Sequence, residues 1–562
     1  MDRKLGVVAA VVWLGACGQA EVPAHGDPPE PPSPTCRQLL AAAPPPTGSL
    51  LADAAAPFAL PPLQADVRLY ELEVDPADLA AMAADPDSDE LRKAVFVIDG
   101  RRVPALLRYR GNSSRDWPKK SYRVEFPDDT GFDGRHKLNL VSEWKDCTLM
   151  VEKLGYDLLA ALGVPAPRAT YVRLQINGEY QGVYLDLERV DKTFTAAHGF
   201  PDDDPTIYRC GRKDCEMRRY GVRAEFQKDW EKKTNEGEDD LGLETLLCAI
   251  NAAPEPELPE VLDAHLELEL YLRSMVADAL ISNDVIEDSR SYLVHDAVLR
   301  RWHYVIWDLN NSTTRYQPGS RVGTLAHVDH PLFSYSVFDA WSEQAYQERI
   351  AKDPDRDWHP LFSNLNTRIA FHPGLRERFL ARLEAAMGTL FTPETFGARV
   401  DEIHALLAPW IPGDANVYPE KFADGPRYLK DYLARRTDFL RAEIARYRAA
   451  PAGVELAEFD PQKGQVALSN RGPDTVDLSG WTLTTDLRRR PAPNLSGNLG
   501  PGVTRYFDLA ALGLETGPEG ELGLWRGPAL PDVVDVLFLG GLDPGRRYVR
   551  DAHDATGWHV VP

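Results

Sequence analysis

The chain has 562 residues and a formal net charge of −23. That length accommodates two or three domains. A surface of that sign repels a phosphate backbone, so no nucleic acid is expected as a partner, although a local basic site stays open.

The first elements in chain order concern location. Arg3 and Lys4 precede an apolar run over residues 5–14, followed by Gly15, Ala16 and Cys17. The run is too short for a permanent membrane span and fits a secretory signal. Small residues ending in cysteine resemble a bacterial lipobox, which implies cleavage before Cys17 and lipidation of its thiol. The alternative is an ordinary signal peptide with an incidental cysteine. The resemblance implies an exported protein that meets the membrane of the bacterial cell envelope through an N-terminal lipid anchor. Residues 18–67 are rich in Pro and Ala and read as a linker. Export permits disulfides, and Cys210 and Cys215 flank a tetrapeptide that they can close into a loop. Zinc-knuckle spacing is absent from the cysteines, so no structural zinc is expected.

Residues 95–98, the Asp99-Gly100 pair and residues 101–109 predict a β-hairpin. Strand, tight turn and strand follow over residues 108–126. Leu107 and Tyr109 alternate with Arg108 and Arg110, and Tyr122, Val124 and Phe126 alternate with Arg123 and Glu125. Between them, Gly111, Asn112, Ser113 and Ser114 permit a turn whose backbone N–H groups can cradle phosphate oxygens. Lys119 or Lys120 can supply positive charge. A plain hairpin with basic residues is the other reading. Residues 146–162 switch to helical period through Val151, Leu154, Leu158 and Leu162, and Gly163 and Pro165 end that helix. A second hairpin turns at Asn177-Gly178 between residues 171–176 and 179–187. Residues 68–190 thus predict an α+β lobe.

Residues 241–449 read as mainly helical, with a Leu- and Ala-rich stretch at 266–280 and amphipathic stretches at 375–390 and 428–447. One β element lies among them, residues 292–295 and 302–307, with Asp284 before it and Asp308 after it. A phosphoryl-transfer site needs one carboxylate near the attacking hydroxyl and another for the magnesium that bridges the phosphates. Two carboxylates at the mouths of a small hairpin meet that need. They are also ordinary strand-end turn residues.

In order along the chain, these pieces resemble the CotH-type (spore coat protein H) atypical protein kinases. The matching residues include Tyr109 to Ser114 with Pro118 to Tyr122, the helix from Asp146 to Gly163, Ile176 to Tyr184 with Glu188, Trp230 to Gly237, Asn283-Asp284, and Ile306 to Asn310. The resemblance covers residues 68–449. It implies a kinase-like two-lobed fold, ATP with Mg2+ or Mn2+, and phosphorylation of Ser or Thr on exported or surface proteins. Asp284 would be the catalytic carboxylate, Asp308 the metal ligand with Asn310 beside it, and Lys119 or Lys120 a phosphate contact. Arg110, Gly111, Asn112, Ser113 and Ser114 would form the phosphate loop. Glu152 would pair with that lysine or stand exposed, and Glu188 would lie at the hinge to the adenine or stay solvated. The chain departs from the family pattern at Ser291, where an Asn is usual, and at Asn310, where an Asp is frequent. Asn310, Asn311 or Asp288 could compensate.

Residues 453–562 change texture to short strands with many Gly and Pro turns, which predicts an all-β sandwich. The stretch Asp477 to Leu483, with Trp481 at its centre, resembles a lamin tail domain and implies an Ig-like fold used for adhesion or targeting. Three functions follow: a surface-tethered Ser/Thr kinase, a pseudokinase scaffold on the same fold, or an envelope adhesion or polysaccharide-binding protein acting through its last domain. The pair His327 and His330, and the acidic runs 202–204 and 236–240, read as solvated loops and not as metal sites.

Overall fold

Both hairpins that the turn dipeptides predict are formed, and they belong to one closed barrel. The computed structural model describes residues 34–51, 58–127, 131–211, 215–219, 229–283, 291–313, 328–337, 340–354, 359–449, 453–489, 492–517, 519–529, 532–551 and 557–562. Its first seven strands are β1 (Arg68–Val74), β2 (Arg92–Ile98), β3 (Arg101–Tyr109), β4 (Tyr122–Glu125), β5 (Lys137–Val141), β6 (Ala169–Ile176) and β7 (Glu179–Leu187). They close in the order β1-β2-β3-β4-β5-β7-β6, with β1 and β6 parallel. The turn residues Asp99 and Gly100, and Asn177 and Gly178, all have positive φ, as a two-residue hairpin turn of matching twist requires. Phe96, Leu107, Val124, Leu138, Leu140 and Leu174 fill the barrel and are essentially inaccessible to solvent.

Between β5 and β6 the chain forms a helix, Val151–Ala161. Asp146 nucleates it: its carboxylate accepts from the backbone N–H groups of Thr148, Met150 and Val151 at 2.8, 2.8 and 2.9 Å. The helix stops at Gly163, whose φ is +72°.

After the barrel come β8 (Thr206–Cys210), β9 (Trp230–Lys232), β10 (Ser291–Asp296) and β11 (Arg301–Ile306), ordered β11-β10-β8-β9 in one sheet. Helices Leu241–Ala252, Leu268–Ile281, Pro373–Thr389, Ala398–Leu407 and Pro419–Arg448 surround it and share its core. The last of these starts nine residues before the predicted 428 and carries Pro426 within it.

The C-terminal residues form a five-stranded, a three-stranded and a two-stranded sheet. Trp481 lies in their core with Leu456, Leu468, Leu483, Leu524 and Tyr548. The fold is therefore α+β with several sheets. No helix among the described residues is long and apolar enough to cross a membrane.

Two features lay beyond sequence reading. The linker expected over residues 18–67 ends early. Cys36 opens a short helix, Cys36–Ala42, and is disulfide-bonded to Cys248, 212 residues away. Phe58, Leu60 and Leu63 pack on the main core. The C-terminal sheets are also not a free appendage: residues from Cys36 to Pro562 make one compact unit. The expected Cys210–Cys215 loop is closed by a disulfide.

Candidate active site

The turn after β3 requires glycine. Gly111 has φ +109°, and a Cβ there would sit 1.7 Å from the Ser114 hydroxyl oxygen. The Ser113–Asp116 turn follows and returns the chain to β4. This loop forms one wall of a cleft, with Arg110, Gly111, Asn112 and Ser114 on it. The opposite wall comes from the end of β11, as Trp307, Asp308 and Asn310. Glu152, from the helix after the barrel's fifth strand, lies between them. Seven of the residues expected at a nucleotide site thus line one cleft: Arg110, Gly111, Asn112, Ser114, Glu152, Asp308 and Asn310.

Asp308 is held in left-handed backbone geometry, φ 66° and ψ 59°. Asp and Asn tolerate that region better than other non-glycine residues. Its backbone N–H donates to the Tyr156 hydroxyl at 3.3 Å, and the Asn310 amide donates to its carboxylate at 2.6 Å. The side-chain carbonyl oxygen of Asn310 is buried and has no donor among the described residues. Among the described residues no three His, Cys, Asp or Glu side chains converge as a metal cluster. Asp284 and Asp288 lie outside the described residues, as do Cys17 and the side chain of Ser113. Asn283, directly before Asp284, is buried and donates to the Asp278 carboxylate at 2.8 Å.

Three expected residues are placed elsewhere. Lys119 is buried, and its ammonium donates to the Val183 carbonyl and to Asp414, both at 2.7 Å. These partners hold it inside the protein, and it does not line the cleft. Lys120 donates to the Arg115 carbonyl and lies over the Tyr109 ring. Glu188 accepts from the Arg168 guanidinium at 2.7 Å and contacts the His198 ring at 2.9 Å. The residue before it, Leu187, faces the cleft instead.

Glu152 has no lysine partner among the described residues. It lies beside the buried Glu143 carboxyl. Burial and the Asp308 carboxylate push Glu152 up to about 7, against the pull of Glu143, Arg110 and the Leu309 N–H. Burial and Glu152 hold Glu143 well above the usual carboxylate range.

Sequence reasoning missed Trp117, Ser121, Val141, Lys145 and the wall formed by Leu187 and Trp307. The Lys145 ammonium stands 4.9 Å from the Trp117 ring, and the Arg110 guanidinium 5.9 Å from that of Trp307. Arg110, directly after β3, and Lys145 accordingly take the place of Lys119 as cations of the cleft. Trp307 carried a usable signal, an aromatic residue directly before the Asp308 carboxylate.

Residues 107–440 match the protein family described as "CotH kinase protein". The chain belongs to the CotH family. It is 26% identical to the inner spore coat protein H of Bacillus subtilis (strain 168) over 399 residues, 68% of this chain and 99% of that protein. It is 22% identical to the inner spore coat protein H-like protein of the same strain over 357 residues, 63% of this chain and 94% of that protein. Both walls of the cleft lie inside the CotH match, and the C-terminal sheets lie beyond it.

Glu188 supports a pH prediction. Although burial alone would raise it, hydrogen bonds from His198 and Arg168 hold its carboxyl at about 2. A depressed folded pKa contributes stability above the unfolded value, near 4.5, and loses it as pH falls toward 2. Allowing for screening at the exposed Arg168, Glu188→Gln should cost about 2 kcal/mol at pH 7 and about half of that at pH 3. Urea denaturation at the two pH values measures this. An equal loss at both would show that the charge is not what counts.

Proposed function

We propose that this CotH-family chain is an atypical protein kinase that transfers the ATP γ-phosphate to Ser or Thr of exported or surface proteins. The observation that carries the reading is the cleft itself, where Arg110 faces Asp308 and Asn310 across a glycine-dependent turn. No described acceptor hydrogen-bonds the Arg110 guanidinium. An arginine whose guanidinium has no described hydrogen-bond acceptor, in a chain of net charge −23, suits an anionic ligand.

The residues present fit a divalent cation. The Asp308 carboxylate and the donorless carbonyl oxygen of Asn310 are hard oxygen ligands on one turn. Bound there, Mg2+ or Mn2+ would neutralise phosphate charge. Arg110, Lys145 and the N–H groups of the turn orient the phosphates. Val141, Leu187 and the two indoles of Trp117 and Trp307 offer apolar walls to the base and exclude water from it. Asp284 is assigned to the acceptor hydroxyl by family likeness and by its place next to the anchored Asn283. The barrel and the helical part would act as the two lobes of a kinase-like fold. Cys17 would anchor the exported chain at the cell envelope, and the lamin-tail-like, Ig-like C-terminal unit would serve adhesion or targeting.

A second reading is a pseudokinase scaffold. It is favoured by one specific observation, that Glu152 lies beside a carboxyl and not beside a lysine.

Melting the protein with and without Mg–ATP tests the common part of both. Ligand at a hundredfold its dissociation constant should add about 2.7 kcal/mol of stability. An unchanged melting temperature at millimolar Mg–ATP removes the nucleotide site. Labelled γ-phosphate appearing on dephosphorylated casein selects the kinase, and binding without transfer selects the scaffold.

A further inference from the structure

The C-terminal sheets are fastened to the segments that flank the catalytic hairpin. Arg218, on the strap 215–219, forms a buried ion pair with Glu521 at 2.9 Å, and Glu521 also accepts the Leu487 N–H at 2.7 Å. Arg219 pairs with Glu519 at 2.9 Å. Beside these pairs, Trp525, Val536 and Phe538 of the C-terminal unit form one apolar cluster with Phe362 and Val337. Val337 ends the described segment 328–337, which lies downstream of Asp308 in the chain.

The strap reaches the side chains that precede and follow the segment 284–290. Its Cys215 and Met217 line a small cavity together with Asp278 and Ser291. Asp278 accepts from the Asn283 amide at 2.8 Å, and the Ser312 hydroxyl donates to Asn283 at 3.4 Å. Asn283 immediately precedes Asp284, and Ser312 lies two residues beyond Asn310. A displacement of the strap therefore changes the cavity wall that it shares with Asp278, whose hydrogen-bonded neighbours Asn283 and Ser312 lie at the two mouths of the hairpin.

We propose that the C-terminal β unit is a positioning part of the transfer site, and that Glu521 acts through Arg218 to fix the strap beside Asp278, which holds Asn283. The inference rests on the phosphotransfer reading above. Glu521 is a positioning residue, because it touches neither nucleotide nor acceptor. Its loss should lower turnover and spare nucleotide affinity.

The test compares full-length wild type, Glu521→Ala and Glu521→Gln below their unfolding temperatures. Mg–ATP affinity is read by calorimetry, and kcat is read with labelled ATP and dephosphorylated casein. Misplacing reacting groups by a fraction of an ångström is costly, so Glu521→Ala should lose about tenfold or more in kcat with Mg–ATP affinity within about twofold of wild type. Glu521→Gln keeps acceptor oxygens for Arg218 and Leu487, so it should fold and recover part of the loss. If Glu521→Ala does not fold, an intermediate kcat in Glu521→Gln at unchanged nucleotide affinity carries the same conclusion. Wild-type kcat in the folded variants overturns the proposal, because a merely structural contact lowers the melting temperature without changing turnover per folded molecule. A wild-type chain that transfers no phosphate refutes the underlying kinase reading, a result distinct from wild type and variants transferring equally.

Discussion

Asp308→Ala should abolish magnesium-dependent nucleotide binding while leaving the fold intact. The carboxylate sits on a left-handed turn, braced by the Asn310 amide and with its own N–H on Tyr156. Removing a metal-ligating carboxylate forfeits several kcal/mol of phosphate charge stabilisation, so affinity for Mg–ATP should fall by more than about 100-fold. Alanine also carries a strain cost at φ 66°, of order 1 kcal/mol. Asp308→Asn separates the two effects, since asparagine accepts that backbone and lacks only the charge. Calorimetric titration with ATP, with and without Mg2+, measures both variants. Unchanged affinity in Asp308→Asn would take Asp308 out of the site.

The second large effect is expected at Lys119, and it is an effect on stability. Its ammonium and the Asp414 carboxylate are buried against each other, with side-chain exposures of 2% and 0%. Burial lowers the lysine's pKa, against the pull of Asp414 and Glu143. Asp414 belongs to the loop between helices Ala398–Leu407 and Pro419–Arg448, so the pair joins the barrel to the helical part. Gly182 permits the approach: a Cβ there would stand 1.9 Å from the Asp414 carboxylate. Lys119→Ala leaves an uncompensated buried charge and should cost about 3–5 kcal/mol in urea unfolding. Removing both partners, in Lys119→Met with Asp414→Asn, should recover part of that loss. A lysine that instead bound phosphate would give the opposite pattern, with weak binding at nearly unchanged stability.

The contrast between Lys119 and Arg110 shows what a sequence can reveal here. The hairpin turns were legible because Asp-Gly and Asn-Gly encode positive φ locally. The helix after residue 150 was legible from its apolar period, and the cleft residues Arg110, Gly111, Asp308 and Asn310 from motif order. The side on which Lys119 would fall was not. Its partner Asp414 lies 295 residues downstream, and no local pattern announces a pairing at that distance. The same holds for the Glu143–Glu152 carboxyl pair, for the parallel closure of β1 on β6, and for the burial of Trp525 and Phe538 against Phe362. Each is a tertiary contact between segments whose own composition is ordinary.

The Cys36–Cys248 disulfide bears on how far the cleft could reach from an N-terminal anchor. With Cys36 pinned to the helix Leu241–Ala252, slack from later proline-rich residues cannot add to a tether. A chain anchored at Cys17 has nineteen residue steps before that pin, which span about 60 Å when extended. Every acceptor would then have to come within one short, fixed radius of the membrane. Reduction alone would lengthen that leash little, because Leu39 still packs on Ala252 and Leu50, Phe58 and Leu60 still pack on the main core.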